Sequence, residues 1–226
     1  VGMLDRLATP FDRLRPTTLR EPVPGGFIKY PYGVPAGFYD QLWDWDGFFI
    51  CRHLADRPEG AKPEYFRYWV LNFVSAYREM GYPPGCVTSE KPETDRRDFS
   101  LKPFMAQAAL HGSTEGFEWL REVFEDVVKI VTRREETNRD EAAGLYFWDD
   151  AMQSGADNNA ADSNLAETKK LYLSCDLNAF QWQEYSALAV IGMRRRQTGS
   201  RRRCMSIFGM RPWGALITGA GIPGLL

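Results

Sequence analysis

The strongest constraint on the fold of this chain is an amphipathic run at residues 63–80. Tyr65, Phe66, Trp69, Val70, Phe73 and Tyr77 recur there at intervals of three and four, the period of a helix with one buried face. Pro63 stands where a first helical turn tolerates proline, and Gly81 follows as a stop. Phe117, Leu120, Val123, Phe124, Val127 and Ile130 repeat the pattern and predict a longer helix over 115–136. Further helices are predicted over 38–55, 101–111 and 171–193, the last with Ser174 or Asp176 as its cap. Strand signals are weak throughout. The expectation is an all-α fold of five or six helices joined by long loops, and loops of that length tend to carry function.

The segments between these helices differ in kind. Residues 1–37 are rich in Pro and Gly and read as an extended opening segment. Residues 81–100 and 144–164 are polar loops, the latter broken by the aromatic run Tyr146, Phe147 and Trp148. Residues 193–226 have no amphipathic period; they hold seven arginines and no acid. They read as a basic tail, either foreign to the fold or suited to an acidic partner such as RNA or an anionic membrane surface. The expected division is therefore 1–37, 38–192 and 193–226.

Composition excludes several classes. The 226 residues are 44% hydrophobic and 26% charged, enough apolar material for a core. No apolar run reaches the length of a membrane span, and neither a signal pattern nor a glycosylation sequon is present. The four cysteines lie far apart with no CxxC pair, so free thiols in a cytoplasmic protein are expected rather than a zinc site or a disulfide framework. Two histidines leave little material for a metal centre or a Ser-His-Asp triad. Without the tail the chain holds 21 basic against 30 acidic residues. That balance argues against nucleic acid binding by the main body. Aromatics reach 14%, with seven Trp, which suits either a large core or a stacking surface for sugar rings.

Four clusters carry candidate chemistry. In the block from Tyr39 to Asp46, Trp43 and Trp45 alternate with Asp44 and Asp46. Two residues apart on a helix, the two indoles would point about 200° from each other; they share a side only if the helix starts there. The block reads either as core Trp with acids at a helix N-terminus, or as a sugar platform of aromatic faces and carboxylates. The second cluster, Gln153-Ser154-Gly155-Ala156-Asp157-Asn158, reads alone as a polar turn. The third, Ser174 to Phe180, reads as a capped helix start. The fourth, Leu101 to Gln107, places an amide on an apolar helix face, where it needs a partner or water.

In their order along the chain these clusters resemble the trehalase-like clan of inverting glycosidases. The similarity is to the mannosylglycerate hydrolase branch of glycoside hydrolase family 63. It rests on Trp-x-Trp-Asp, Lys-Pro-Phe-x-Ala-Gln, Gln-Ser-Gly-x-Asp-Asn and Asp-Leu-Asn-Ala, and covers residues 25–191, roughly three quarters of the chain. The resemblance implies an α/α barrel of six helical hairpins, of which this chain supplies roughly the N-terminal half. It implies Asp157 as general acid, and Tyr39, Trp43, Asp44, Trp45, Asp46, Gln107 and Gly155 as substrate contacts. Lys102 and Asn178 are implied as supporting residues. The reaction implied is hydrolysis with inversion of a small α-glycoside, mannosylglycerate or glucosylglycerate before trehalose or a glucosylated oligosaccharide. It requires no cofactor and no metal. One carboxylic acid protonates the leaving oxygen while a second carboxylate activates water about 6.5–9.5 Å away. The family's base lies in a C-terminal part with no counterpart here; Glu184 lies on the last matching helix without an implied role. A non-catalytic carbohydrate-binding fragment is the alternative. A half barrel would also leave apolar faces uncovered, so a weakly folded or aggregation-prone chain is expected.

Overall fold

A computed structural model describes residues 13, 16–57, 60–90, 100–148, 151–155 and 173–197. Two compact units divide the chain, Val1–Val190 and Ile191–Leu226. Of the second, the described part is 191–197, the end of the last helix. The first unit is mostly α. Its elements in order are α1 (Asp44–Ala55), α2 (Glu64–Met80), α3 (Met105–His111), a 3-10 turn (Glu118–Arg121), α4 (Phe124–Thr132) and the single turns α5 (Arg134–Thr137) and α6 (Ala151–Ser154). The long α7 (Cys175–Gln197) begins in it.

Strands are short, and each described one pairs antiparallel with one partner. β1 (Leu19–Arg20) pairs with β2 (Tyr32–Gly33), β3 (Leu42–Trp43) with β4 (Cys86–Val87), and β5 (Arg139–Asp140) with β6 (Leu145–Tyr146). The first ladder lies in the segment expected to be merely extended. Buried Asn72 of α2 fastens that segment: its Oδ1 accepts from the amides of Lys29 and Tyr30, both at 3.2 Å, and its Nδ2 donates to the Tyr30 carbonyl at 3.1 Å.

The core sits where α2 packs against α1, α3 and α4. Phe66, Trp69 and Phe73 of α2 are fully buried, each contributing on the order of 1.5–3 kcal/mol by leaving water. Phe48 of α1 stacks on Phe104 just before α3, with centroids 4.5 Å apart. The helix predicted over 63–80 is present, with Pro63 as its N-cap. Gly81 ends it in the left-handed conformation, φ 74°, its amide bonding the Tyr77 carbonyl.

Other predicted boundaries need correction. The helix expected over 38–55 starts at Asp44, because Leu42 and Trp43 extend to pair with Val87 and Cys86. The one expected over 101–111 starts at Met105. Pro103 disfavours helix at the residue before it, and the amide of Leu101 bonds the Pro83 carbonyl. The helix expected over 115–136 is three pieces, the 3-10 turn, α4 and α5. The last helix starts at Cys175 rather than 171–174 and runs to Gln197, past the expected stop at 193. Among the described residues, no helix is long and apolar enough to cross a membrane.

Candidate functional site

Trp43 is the second residue of β3 and the N-cap of α1, while Trp45 lies in the first helical turn. The helix therefore starts between the two indoles, the one arrangement that frees them from opposite faces. Asp44, between them, is 1% exposed. Its Oδ2 accepts the amide of Lys102 at 2.7 Å, and its Oδ1 lies 3.3 Å from the Lys102 ammonium. Oδ1 also accepts the amide of Trp45 at 2.6 Å. Both oxygens are thus committed, and Asp44 holds Lys102 to the start of α1. Lys102 is itself buried, and its ammonium lies 6.0 Å from the centre of the Trp45 ring.

Gly155 joins this pair from a third direction. Its φ is 72°, and a Cβ there would lie 2.9 Å from Lys102 Cε. Any side chain would push into the buried ion pair while occupying a backbone region costly for L-residues. Glycine is therefore the residue that lets the end of α6 reach Lys102.

Around Trp45 the surface is aromatic. Its ring meets Phe49 at 5.4 Å, Phe104 at 5.5 Å and Phe180 at 5.8 Å, all edge-on. Phe49 is exposed and Phe104 buried. Asp46, one residue on, is half-buried. Burial raises its carboxyl above the usual range; its own backbone amide opposes this, the Asp44 charge adds to it, and Lys102 lowers it. Such a carboxylate can accept bonds from hydroxyl groups.

Gln107, in α3, is held by the last helix. The wholly buried Glu184 of α7 accepts the amides of Ala106 and Gln107, each at 2.9 Å. Its carboxylate so caps a helix whose own N-cap, Phe104, has no capping side chain. Burial nonetheless pushes the Glu184 carboxyl up to about 7 against these bonds. The Gln107 side chain donates to the Pro103 carbonyl at 3.0 Å.

The structure thus brings Asp44, Trp45, Gly155 and Lys102 together, with Gln107 tied in through Glu184 and Phe104. Tyr39 stands apart: its ring packs on Phe38, and its backbone bonds Ala36 and Arg20. Asp157 lies outside the described residues. Asn178 bonds both backbone groups of Tyr146, at 2.9 Å each, and the Ser174 carbonyl at 2.7 Å. Sequence reasoning passed over Phe104 and Phe180 and gave Glu184 no role. The signal for Glu184 was present, since it falls on a stripe with Leu177, Gln181 and Leu188, all buried. An acid on an apolar stripe needs a donor.

A cleft of about 260 Å³ lies elsewhere, between the start of α2 and residues 112–119, lined by Glu64, Arg67, Glu115 and Trp119 among others. None of the expected site residues lines it. Among the described residues no group of His, Cys, Asp and Glu could hold a metal ion. Cys51, Cys86 and Cys175 form no disulfide, and burial raises the Cys51 thiol. The chain matches no known protein family, no curated protein and no solved structure.

Proposed function

We propose that this chain belongs to an inverting glycoside hydrolase built on an α/α barrel of helical hairpins, and supplies part of that barrel. Its substrate is a small α-glycoside, mannosylglycerate or glucosylglycerate, and Asp157 is the general acid. The observation that supports this reading is convergence. The rings of Trp45, Phe104 and Phe180 meet, Lys102 lies 6.0 Å from the Trp45 ring centre, and Gly155 packs against Lys102, so four separated stretches come together.

In this reading the Trp45 edge and Phe49 offer an apolar surface to the C–H face of the sugar, and Asp46 accepts from its hydroxyls. Lys102, held by Asp44, seats Gly155 and so the start of the segment that carries Asp157. Asp157 gives its proton to the leaving oxygen, and a second carboxylate deprotonates the attacking water on the opposite face of the ring. The protein is placed in the cytoplasm, with a small-molecule partner.

The test is hydrolysis of mannosylglycerate, glucosylglycerate and trehalose by the purified chain, with Asp157→Asn as control. Turnover of one glycerate glycoside is expected, with the base supplied by another carboxylate of this chain or by a second copy of it, and reduced at least 100-fold in the variant. Turnover that survives Asp157→Asn would overturn the assignment of the acid. Sugar binding without turnover would favour the non-catalytic carbohydrate-binding alternative.

A further inference from the structure

The tautomer of a histidine is ordinarily assigned rather than observed. At His111 the partner decides it. The Arg52 Nη1 lies 3.0 Å from His111 Nε2. A guanidinium donates hydrogen bonds and accepts none, and a neutral imidazole has one donor nitrogen and one acceptor. Nε2 is therefore the acceptor, and the ring proton sits on Nδ1. Protonated His111 would carry a donor at both nitrogens, setting donor against donor and cation against cation at the same contact. The bond exists only while His111 is neutral.

We propose that Arg52 and His111 form a pH-sensitive latch between α1 and α3, closed while His111 is the neutral Nδ1–H tautomer and open once Nε2 takes a proton. Arg52 lies in the last turn of α1, and His111 ends α3. α3 is tied to α1 just before its start, through the stack of Phe104 on Phe48, and at its end through His111. The first tie is apolar and indifferent to pH; the second is not. Phe66 of α2 stacks on the His111 ring, centroids 5.0 Å apart, and keeps it beside Arg52. Arg52 is held in turn by Asp56, whose Oδ2 accepts from Nε at 2.5 Å. Arg52 and Asp56 are the charged groups that act on His111. His53, next to Arg52, is exposed, and α2 presents uncharged Phe66. On α4, Asp126 pairs with Arg78, while Glu125 and Lys129 are exposed. Beyond α3, Glu115 and Glu118 line the cleft with Glu64 and Arg67. Burial and the Arg52 charge favour neutral His111 and Asp56 opposes them, so the latch opens below the ordinary value of 6.5.

NMR of the chain tests this, with the His111 signals told from those of His53 by their loss in His111→Phe. At about pH 8, long-range proton–nitrogen correlation should show His111 protonated at Nδ1 and bare at Nε2. Arg52 and Asp56 are exposed, so changing either leaves the core intact. In Arg52→Leu the tautomer should move toward Nε2–H, and the ring should protonate at higher pH, because the neighbouring cation is gone. Asp56→Asn keeps the Arg52 donor, so it should keep the tautomer while moving protonation to lower pH. Amide exchange, corrected for intrinsic rates, then reads the latch. Gly112 and Ser113 donate to the Ala108 and Leu110 carbonyls at the end of α3. From about pH 8 to about pH 5 their protection should fall about fivefold relative to α2, the worth of one hydrogen bond. In Arg52→Leu that protection should start low and change little. A bare Nδ1 at pH 8, or a tautomer unmoved in Arg52→Leu, would overturn the Arg52–His111 assignment. The same pH response of Gly112 and Ser113 in the chain and in Arg52→Leu would overturn the latch.

Discussion

At the scale of single residues, the decisive pair is Asp44 and Lys102. Both are almost completely buried, and the pair is closed by the Lys102 amide on Asp44 Oδ2. Breaking such a pair from one side strands a charge in the interior and costs about 3–5 kcal/mol. Lys102→Met should therefore lower the urea midpoint far more than an exposed Lys129→Met, which is expected to change little. The double variant Asp44→Leu/Lys102→Met should recover much of the loss, because no charge is left behind. Additive losses in the double variant would mean the two residues do not act as a pair. The alternation of Trp and Asp exposed this site in the sequence but not the division of labour within it. Asp44 and Asp46 are indistinguishable as letters. They separate only because the helix begins at Asp44, which sends one carboxylate to Lys102 and leaves the other half-buried.

At the scale of elements, periodicity reported buried faces well and continuity poorly. Leu120, Val123, Phe124 and Val127 are all buried as the spacing over 115–136 requires, yet a 3-10 turn and two helices replace one helix there. A 3-10 turn with i, i+3 bonds keeps nearly the same face inward, so the pattern does not register the break. The helix start at 44 was hidden for a different reason. It is decided by pairing with Cys86 and Val87, more than forty positions away and invisible to any local window. Asn178 shows the same non-local logic. Its amide bonds the two backbone groups of Tyr146 as a strand neighbour would, joining α7 to β6. Glu135, on α5, accepts the hydroxyls of Tyr146 and Tyr185 across the same junction. Asn178→Ala leaves the amide and carbonyl of buried Tyr146 without those partners, at about 1–3 kcal/mol. Amide exchange at Tyr146 should quicken accordingly, while exchange within α2 should move only as far as global stability falls. Unchanged exchange at Tyr146 would show that the junction is held elsewhere.

At the scale of the whole molecule, the same buried groups set how stability answers to pH. Glu184 is raised from 4.5 to about 7, by burial. Between those values the folded chain keeps a proton that the unfolded chain has lost, so folding takes up a proton. The contribution is fully present below about 4.5 and is lost as pH rises through 7. Asp46, also raised by burial, acts in the same direction from its lower starting value of 3.8. His111 acts oppositely. Burial, and then the Arg52 guanidinium 3.0 Å from its Nε2, lower it from 6.5. Stability from that source is present above 6.5 and is lost as pH falls. The two effects meet between pH 6 and 7, and the fully buried Glu184 should prevail over the half-buried His111. Denaturant midpoints across pH 5 to 8 should therefore fall with rising pH, and Glu184→Gln, which cannot ionise, should flatten that fall. His111→Phe keeps the stack on Phe66 and should steepen the fall instead, since it removes the opposing group. Parallel profiles for the chain and Glu184→Gln would mean that the two backbone amides on Glu184 outweigh its burial. The carboxylate would then be ionised throughout this range.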